Sequence, residues 1–258
     1  MPHPPDYQHI LTDLSGGILS LTLNRPDRKN ALNLGMYAAL AEQLSTAQEQ
    51  GARVILIQGT AGCFTSGNDL ADFAADTPLD ENHPGTIFMH RLLACPLPII
   101  AAVEGLAIGI GTTMLLHCDL IYAHPQTRFK LPFVSLGLVP EFAASHLLPL
   151  QVGHRKACEW LLLADFFSAA EALDAGLLNA VIEAPAELAQ KQAQKMAALP
   201  PAALRTSKSL IKAAQHKATK QAMQAESPAL NQALKAPEFA EAITAFKQKR
   251  PPNFSTFN

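Results

Sequence analysis

The sequence predicts an α/β protein, with a layered core of buried strands and helices followed by a strand-free helical tail. Three observations carry that reading. Apolar runs at Val54–Gly59 and Ile99–Val103 are short and lack polar alternation, as strands buried on both faces do. Stretches with helical start and stop signals lie between such runs. From about Pro200 onward the strand signals cease and the chain becomes rich in Ala, Lys and Gln, which favour helix.

Taken in order, residues 18–24 read as a strand. Asn33 is a suitable N-cap for a helix running to about residue 50, with Gly51 as its stop. A doubly buried strand over 53–59 follows. Residues 76–84 contain two prolines and several acids and read as a mobile loop. A helix over 86–94 and a strand over 98–103 come next. Residues 109–118 are apolar and read as a helix beginning at a glycine turn. Leu120–Ala123 and Arg128–Lys130 read as short strands. Pro200-Pro201 marks a boundary, after which 202–217, 219–234 and 237–249 read as three helices. The expected organisation is a core over residues 1–199 and a helical region over 200–258.

Composition narrows the function classes. At 258 residues, 48% hydrophobic and 16% charged, the chain can bury a substantial core. A formal net charge of -2 argues against nucleic acid or an anionic membrane as the main partner. Cys63, Cys95, Cys118 and Cys158 show neither paired metal spacing nor a secreted disulfide framework, so they read as reduced thiols in a cytoplasmic protein. The first residues, 1–13, are polar and do not read as a signal peptide, and no apolar run reaches transmembrane length. The final residues, 254–258, do not match a Ser-Lys-Leu address. His90, His117, His146 and His154 have no metal partner at useful spacing, and each reads as structural. The lone Trp160 reads as a core or interface residue.

Two places point to chemistry. Phe64-Thr65-Ser66-Gly67-Asn68-Asp69-Leu70 follows one buried strand, and Gly105-Leu106-Ala107-Ile108-Gly109-Ile110-Gly111 follows another. A strand ending in a small-residue turn leaves backbone N–H groups free to face a ligand. Two such turns on neighbouring strands supply what a two-donor oxyanion hole needs. The plain alternative for each is a tight strand-to-helix connection.

These turns, together with Asn24-Arg25-Pro26-Asp27-Arg28-Lys29-Asn30-Ala31-Leu32-Asn33 and Ala101-Ala102-Val103-Glu104, resemble the crotonase (enoyl-CoA hydratase/isomerase) superfamily in order and spacing over nearly the whole chain. The resemblance implies a crotonase-like spiral of strand-strand-helix units with a C-terminal helical tail that packs on the core and on neighbouring subunits. It implies an acyl-CoA thioester substrate, no cofactor beyond the CoA of that substrate, no metal, and a homotrimer or dimer of trimers. Its oxyanion donors fall on the backbone amides of Asn68 and Ile110, where the family more often has Ala and Gly. The helix starting near Gly109 would add its positive end. For CoA it implies Lys29, Ala31, Ser66, Asn68 and Leu70, and from the tail Phe246 and Lys249, whose plain alternative is an exposed helix end.

The family's hydratases use two glutamates, which by position fall on Thr113 and Phe133 here, and neither can carry a proton. Leu136-Gly137-Leu138-Val139-Pro140-Glu141-Phe142 and Ser66-Gly67-Asn68-Asp69-Leu70 resemble instead the Δ3,Δ2-enoyl-CoA isomerase branch, in which a single glutamate faces the acyl chain. That residue is Glu141. Its apolar neighbours would raise its pKa and suit it to carry a proton; the alternative is an acid favouring a helix N-terminus behind Pro140. Glu104 reads as a turn residue, and Asp69 and Asp72 as caps or surface acids. The expected function is an enoyl-CoA isomerase. A different crotonase-fold reaction, hydratase-like or hydrolase-like, and a non-catalytic acyl-CoA-binding oligomer stay open.

Overall fold

The computed structural model describes residues 3–70 and 79–257. β1 (Ile10–Ser15) and β2 (Ile18–Leu23) form an antiparallel hairpin. From β2 the sheet continues in parallel through β3 (Val54–Gly59) and β4 (Ile99–Val103). A second sheet holds β5 (Leu106–Ile108), the central β7 (Arg128–Lys130) and β8 (Phe166–Ser168), while β6 (Leu120–Ala123) and β9 (Ala180–Val181) complete the first. The six-stranded order is β1-β2-β3-β4-β6-β9, and the three-stranded order is β5-β7-β8.

Period-two alternation explains the continuous apolar runs. Leu19, Leu21, Ile55, Ile57, Ala101 and Val103 enter the main core on one face of the sheet. Ile18, Val54, Leu56, Ile100 and Ala102 enter a second core on the other. The main core is filled by α1 (Leu34–Thr46) and α2 (Pro84–Ala94), whose Tyr37 and Phe88 rings pack 5.4 Å apart. Asn33 caps α1 as expected, its side chain accepting from the Met36 amide at 2.8 Å. Further along lie α3 (Ile110–Thr113), α4 (Ala144–Val152), α5 (His154–Cys158) and α6 (Ala169–Asp174). Then α7 (Pro185–Ala197) covers the second core with Ala189, Ala193 and Ala197, a stripe of small residues that lets helix and sheet approach closely.

Several elements differ from the sequence reading. β1 was not expected as a strand: one residue of its six is buried, so it has no apolar run to reveal it. α1 ends at Thr46 rather than near residue 50, with turns up to Gly51 at φ 93°. The helix expected over 109–118 is the four-residue α3 followed by a 3-10 turn over Met114–His117. Of the expected loop, residues 76–78 lie outside the described residues, and 79–83 are irregular before α2 begins at Pro84. The two helices expected over 202–217 and 219–234 are one helix, α8 (Pro201–Ala233), because no Gly or Pro interrupts the good helix formers at their junction. The third tail helix is α9 (Pro237–Lys247). No helix among the described residues is long and apolar enough to cross a membrane.

The tail docks on its own core through a buried ion cluster. Lys208 of α8 reaches Asp119 at 2.7 Å and the Leu97 carbonyl at 2.6 Å. One turn on, Lys212 reaches the other Asp119 oxygen at 3.3 Å and the His117 carbonyl at 2.8 Å. Asp119 also accepts from the Ile99 amide at 2.8 Å, which ties the tail to the start of β4. Removing the carboxylate leaves a buried ammonium without its counter-charge. Asp119→Ala is therefore expected to lower stability by on the order of 3 kcal/mol, read by urea unfolding. A change within experimental error would show that the cluster does not hold the tail.

Candidate active site

The two glycine turns meet through backbone pairing. The Thr65 amide donates to Leu106 at 2.8 Å and the Ile108 amide donates to Thr65 at 3.1 Å, forming a parallel bridge between Thr65 and Ala107. A second bridge joins Leu32 and Asn68: the Leu32 amide donates to Gly67 at 2.8 Å and the Asp69 amide to Leu32 at 2.9 Å. Gly67 lies at φ 94°, and a Cβ there would stand 2.7 Å from the Ile108 carbonyl oxygen. Only glycine lets the two turns come this close.

Asn30, fully buried at φ 55°, stitches the first motif to the second. Its side chain donates to the carbonyls of Thr60 at 3.1 Å and Cys63 at 2.6 Å and accepts from the Arg25 amide at 2.8 Å. The Thr65 hydroxyl donates to its carbonyl at 2.6 Å. Asp69 is an ion-pair partner: the Arg25 guanidinium holds it at 2.6 Å and also donates to the Ala31 carbonyl. Tyr37 donates its hydroxyl to the Asn68 side-chain oxygen.

Asn68 and Ile110 both line one cavity of about 600 Å³. Among the described residues neither amide donates a hydrogen bond. For Ile110 this follows from its place as the first residue of α3. Because α3 has four residues, the contribution expected from a longer helix at this point is small. Lys29, Ala31, Ser66, Leu70 and Phe246 line the same cavity. Phe246 does so from the tail of its own chain, while Lys249 is not among the lining residues and stands exposed at φ 55°. The sequence reading missed Lys130 and Phe166 at this cavity, where the Phe166 ring takes Arg128 at 4.2 Å and Lys130 at 4.9 Å. Only the pairing of β7 with β8 brings those residues together.

Glu141 lines the cavity among Leu138, Phe133 and Leu230. It is 7% exposed, and its Oε1 has no hydrogen-bond partner among the described residues. Burial pushes its carboxyl up to about 7, and the like charge of Glu226 adds to the rise. The alternative of a helix-terminal acid fails on geometry. α4 begins at Ala144, and Glu226 of α8, not Glu141, accepts from the Ala143 and Ser145 amides, at 2.6 and 2.9 Å. Nothing in the sequence near residue 141 signals that partner, which lies in the tail.

The two positions of the absent hydratase acids are apolar or neutral. Phe133 lines the cavity, and Thr113 is fully buried with its hydroxyl unpaired among the described residues. Glu104 lies between β4 and β5, and its carbonyl accepts from the distant Phe64 amide at 2.7 Å rather than from local backbone. Asp72 lies outside the described residues. His117 is buried, stacks on Phe142 at 3.8 Å, and donates to the Phe142 carbonyl at 2.8 Å; burial lowers its pKa to about 3, so the ring is neutral. Trp160 is core, stacked on Phe167 at 3.7 Å. All four cysteines are free thiols.

Comparison with known proteins places the chain in a family. The family model described as enoyl-CoA hydratase/isomerase matches residues 13–256. A crystal structure of an enoyl-CoA hydratase/isomerase from Pseudoalteromonas atlantica T6c superposes with a TM-score of 0.92 at 39% identity, covering 96% of this chain and 100% of that one. The 1,2-epoxyphenylacetyl-CoA isomerase of Escherichia coli K12 is 31% identical over 96% of this chain and 98% of its own length. Enoyl-CoA delta isomerase 2 of Rattus norvegicus is 32% identical over 94% of this chain and 64% of its own length. With the family model and the fold in agreement over nearly the full length, this chain belongs to the enoyl-CoA hydratase/isomerase family, the crotonase superfamily.

Proposed function

We propose that the protein is a Δ3,Δ2-enoyl-CoA isomerase, converting 3-enoyl-CoA to trans-2-enoyl-CoA, with Glu141 as its proton carrier. The observation that carries this reading is a buried carboxyl whose oxygen has no partner among the described residues, in the cavity that two amides likewise unbonded among those residues also line. In this reading ionised Glu141 removes a proton from C2, and the C2–H electrons flow into the thioester to give a dienolate. The Asn68 and Ile110 amides hold the negative oxygen. Glu141 then returns the proton to C4, the double bond settles between C2 and C3, and the thioester carbonyl re-forms. Atoms balance without water or a second acid, consistent with Thr113 and Phe133 at the positions where hydration would need carboxylates. Arg28, Lys29 and Lys130 on the cavity lining supply cations for CoA phosphates, and Ala31, Ser66, Leu70 and Phe246 supply its walls.

Glu141→Gln keeps the shape of the side chain and removes the base. We expect isomerisation of 3-hexenoyl-CoA to fall by roughly a hundred- to ten-thousandfold, with acyl-CoA binding largely intact, followed by conjugated enoyl-thioester absorbance. Because the base must be ionised, kcat/KM of the parent protein should rise with pH through about 7. Turnover by the variant within a few-fold of the parent would end the assignment of Glu141.

The same reading expects negligible hydration of crotonyl-CoA, since neither hydratase acid is present. Efficient hydration would favour a hydratase-like member of the family instead.

Ile110→Pro removes one oxyanion donor. Provided circular dichroism shows a native fold, we expect a loss of about a hundred- to a thousandfold in turnover. Asn68→Ala keeps its amide, and the Leu32 bridge still holds the backbone, so its loss should be modest. Equal, severe losses at Asn68→Ala and Glu141→Gln would mean that the Asn68 side chain, with its Tyr37 partner, takes part in the chemistry.

A further inference from the structure

The turn that presents Glu141 is strained. Phe142 and Ala143 both lie in the left-handed region, at φ 59° and 58°, where residues with a Cβ are disfavoured. Something must hold the chain there, and two contacts do. On one side His117 stacks on Phe142 and donates to its carbonyl. On the other, Glu226 accepts from the Ala143 amide, the Ser145 amide and the Ser145 hydroxyl. Glu226 is 8% exposed and lies on the same face of α8 as the buried Met223 and Leu230. It shares with Glu141 a small cavity of about 20 Å³.

We propose that Glu226 is a positioning residue for Glu141: its carboxylate clamps the left-handed Phe142–Ala143 turn through three hydrogen bonds and sets a fixed negative charge behind the acid. The inference deepens the isomerase reading and rests on it for its catalytic consequence. The two carboxyls share a low-dielectric site but differ in their donors. Glu226 has three, and Glu141 Oε1 has none among the described residues. Donors favour the ionised form, so Glu226 is the member that carries the charge and Glu141 the member that keeps the proton longer.

The surrounding groups do not cancel this effect. His117, from the 3-10 turn, is neutral, and Lys212 of α8 is engaged by Asp119 and the His117 carbonyl. Lys208 is likewise held by Asp119. Burial raises the Glu226 carboxyl, and its Ser145 and Ala143 donors and His146 of α4 oppose that rise. From α2, Thr86 and Met89 face the shared cavity without charge, and from α9 Phe239 lines the main cavity. Arg28, Lys29, Asp69 and Lys130 stand elsewhere on the main cavity's lining.

The test compares the full-length protein with Glu226→Gln, after circular dichroism confirms folding. Glu141 protonation is followed without substrate by infrared spectroscopy of the carboxylic C=O stretch in glutamate-13C-labelled protein, the band being identified by its loss in Glu141→Gln. With the charge behind it gone, Glu141 should lose its proton at lower pH, by about one pH unit. The rising limb of kcat/KM for 3-hexenoyl-CoA should move the same way. Glu226→Asp keeps the charge but shortens the clamp: its limb should stay in place while kcat falls several-fold and KM changes little. If Glu226→Gln does not fold, Ser145→Ala serves, since losing the hydroxyl donor lets Glu226 take a proton more readily and should also move Glu141 to lower pH. An unchanged Glu141 band position on the pH axis in a folded variant overturns the proposal and leaves Glu226 a helix cap. The infrared shift needs no turnover, so a shift seen alongside normal turnover by Glu141→Gln would refute the isomerase reading while leaving the coupling intact.

Discussion

The bridge between Thr65 and Ala107 is the constraint on which the site depends. It joins the loop after β3 to β5, two segments that leave the main sheet on neighbouring strands. Two amides can face one point only if the turns carrying them are in register and nearly in contact. The bridge sets the register, and Gly67, with no Cβ to meet the Ile108 carbonyl, permits the contact. Asn30 and the Arg25–Asp69 pair then tie the earlier loop to the same place. Each of these bonds satisfies a buried polar group that would otherwise be costly. The relative position of the two turns is thus fixed both by backbone pairing and by the side chains of Asn30, Arg25 and Asp69.

This explains what could be read from the sequence. Val54–Gly59 and Ile99–Val103 are legible as strands because burial on both faces removes the polar residues that would blur them. Asn33 is legible as a cap because capping is local. The two turns are legible because they follow those strands at once and are rich in small residues. β1 was not legible, since an edge strand with one buried residue carries no pattern. The region between Lys130 and α7 was largely unassigned, because its elements are short and its strand β8 pairs with a distant β7. α8 was divided where nothing divides it. The partners of the key acid were the least accessible: Glu226 and Ser145 are 81 residues apart, and no local rule joins them.

Two buried charge clusters on one helix have opposite characters. Asp119, Lys208 and Lys212 bring opposite charges together with backbone partners, so the cluster fastens α8 to the core. Five turns later the same helix brings Glu226 behind Glu141, a pairing of like groups that local stability alone does not favour. The tail is therefore more than a covering. Its first half fixes its own position, and that position sets the electrostatic surroundings of the acid.

The energetics favour a chemical use for Glu141 over a purely structural one. Its folded-state pKa of about 7 lies above the ordinary value of 4.5, so across that window the folded protein keeps a proton that the unfolded chain has lost. This contribution to stability is fully present below about 4.5 and falls away as pH rises through 7. Above that, the folded chain carries an ionised carboxyl whose Oε1 has no partner among the described residues, at a cost on the order of a few kcal/mol. A ligand cradle that used only backbone donors would gain nothing from such a group, and an apolar residue of similar size would pack there without penalty. A proton carrier for carbon acids gains from it, because a base near neutrality is basic enough to take the proton and acidic enough to return it. Under the proposed isomerase function, the acid at 141 is the part of the fold where stability gives way to chemistry.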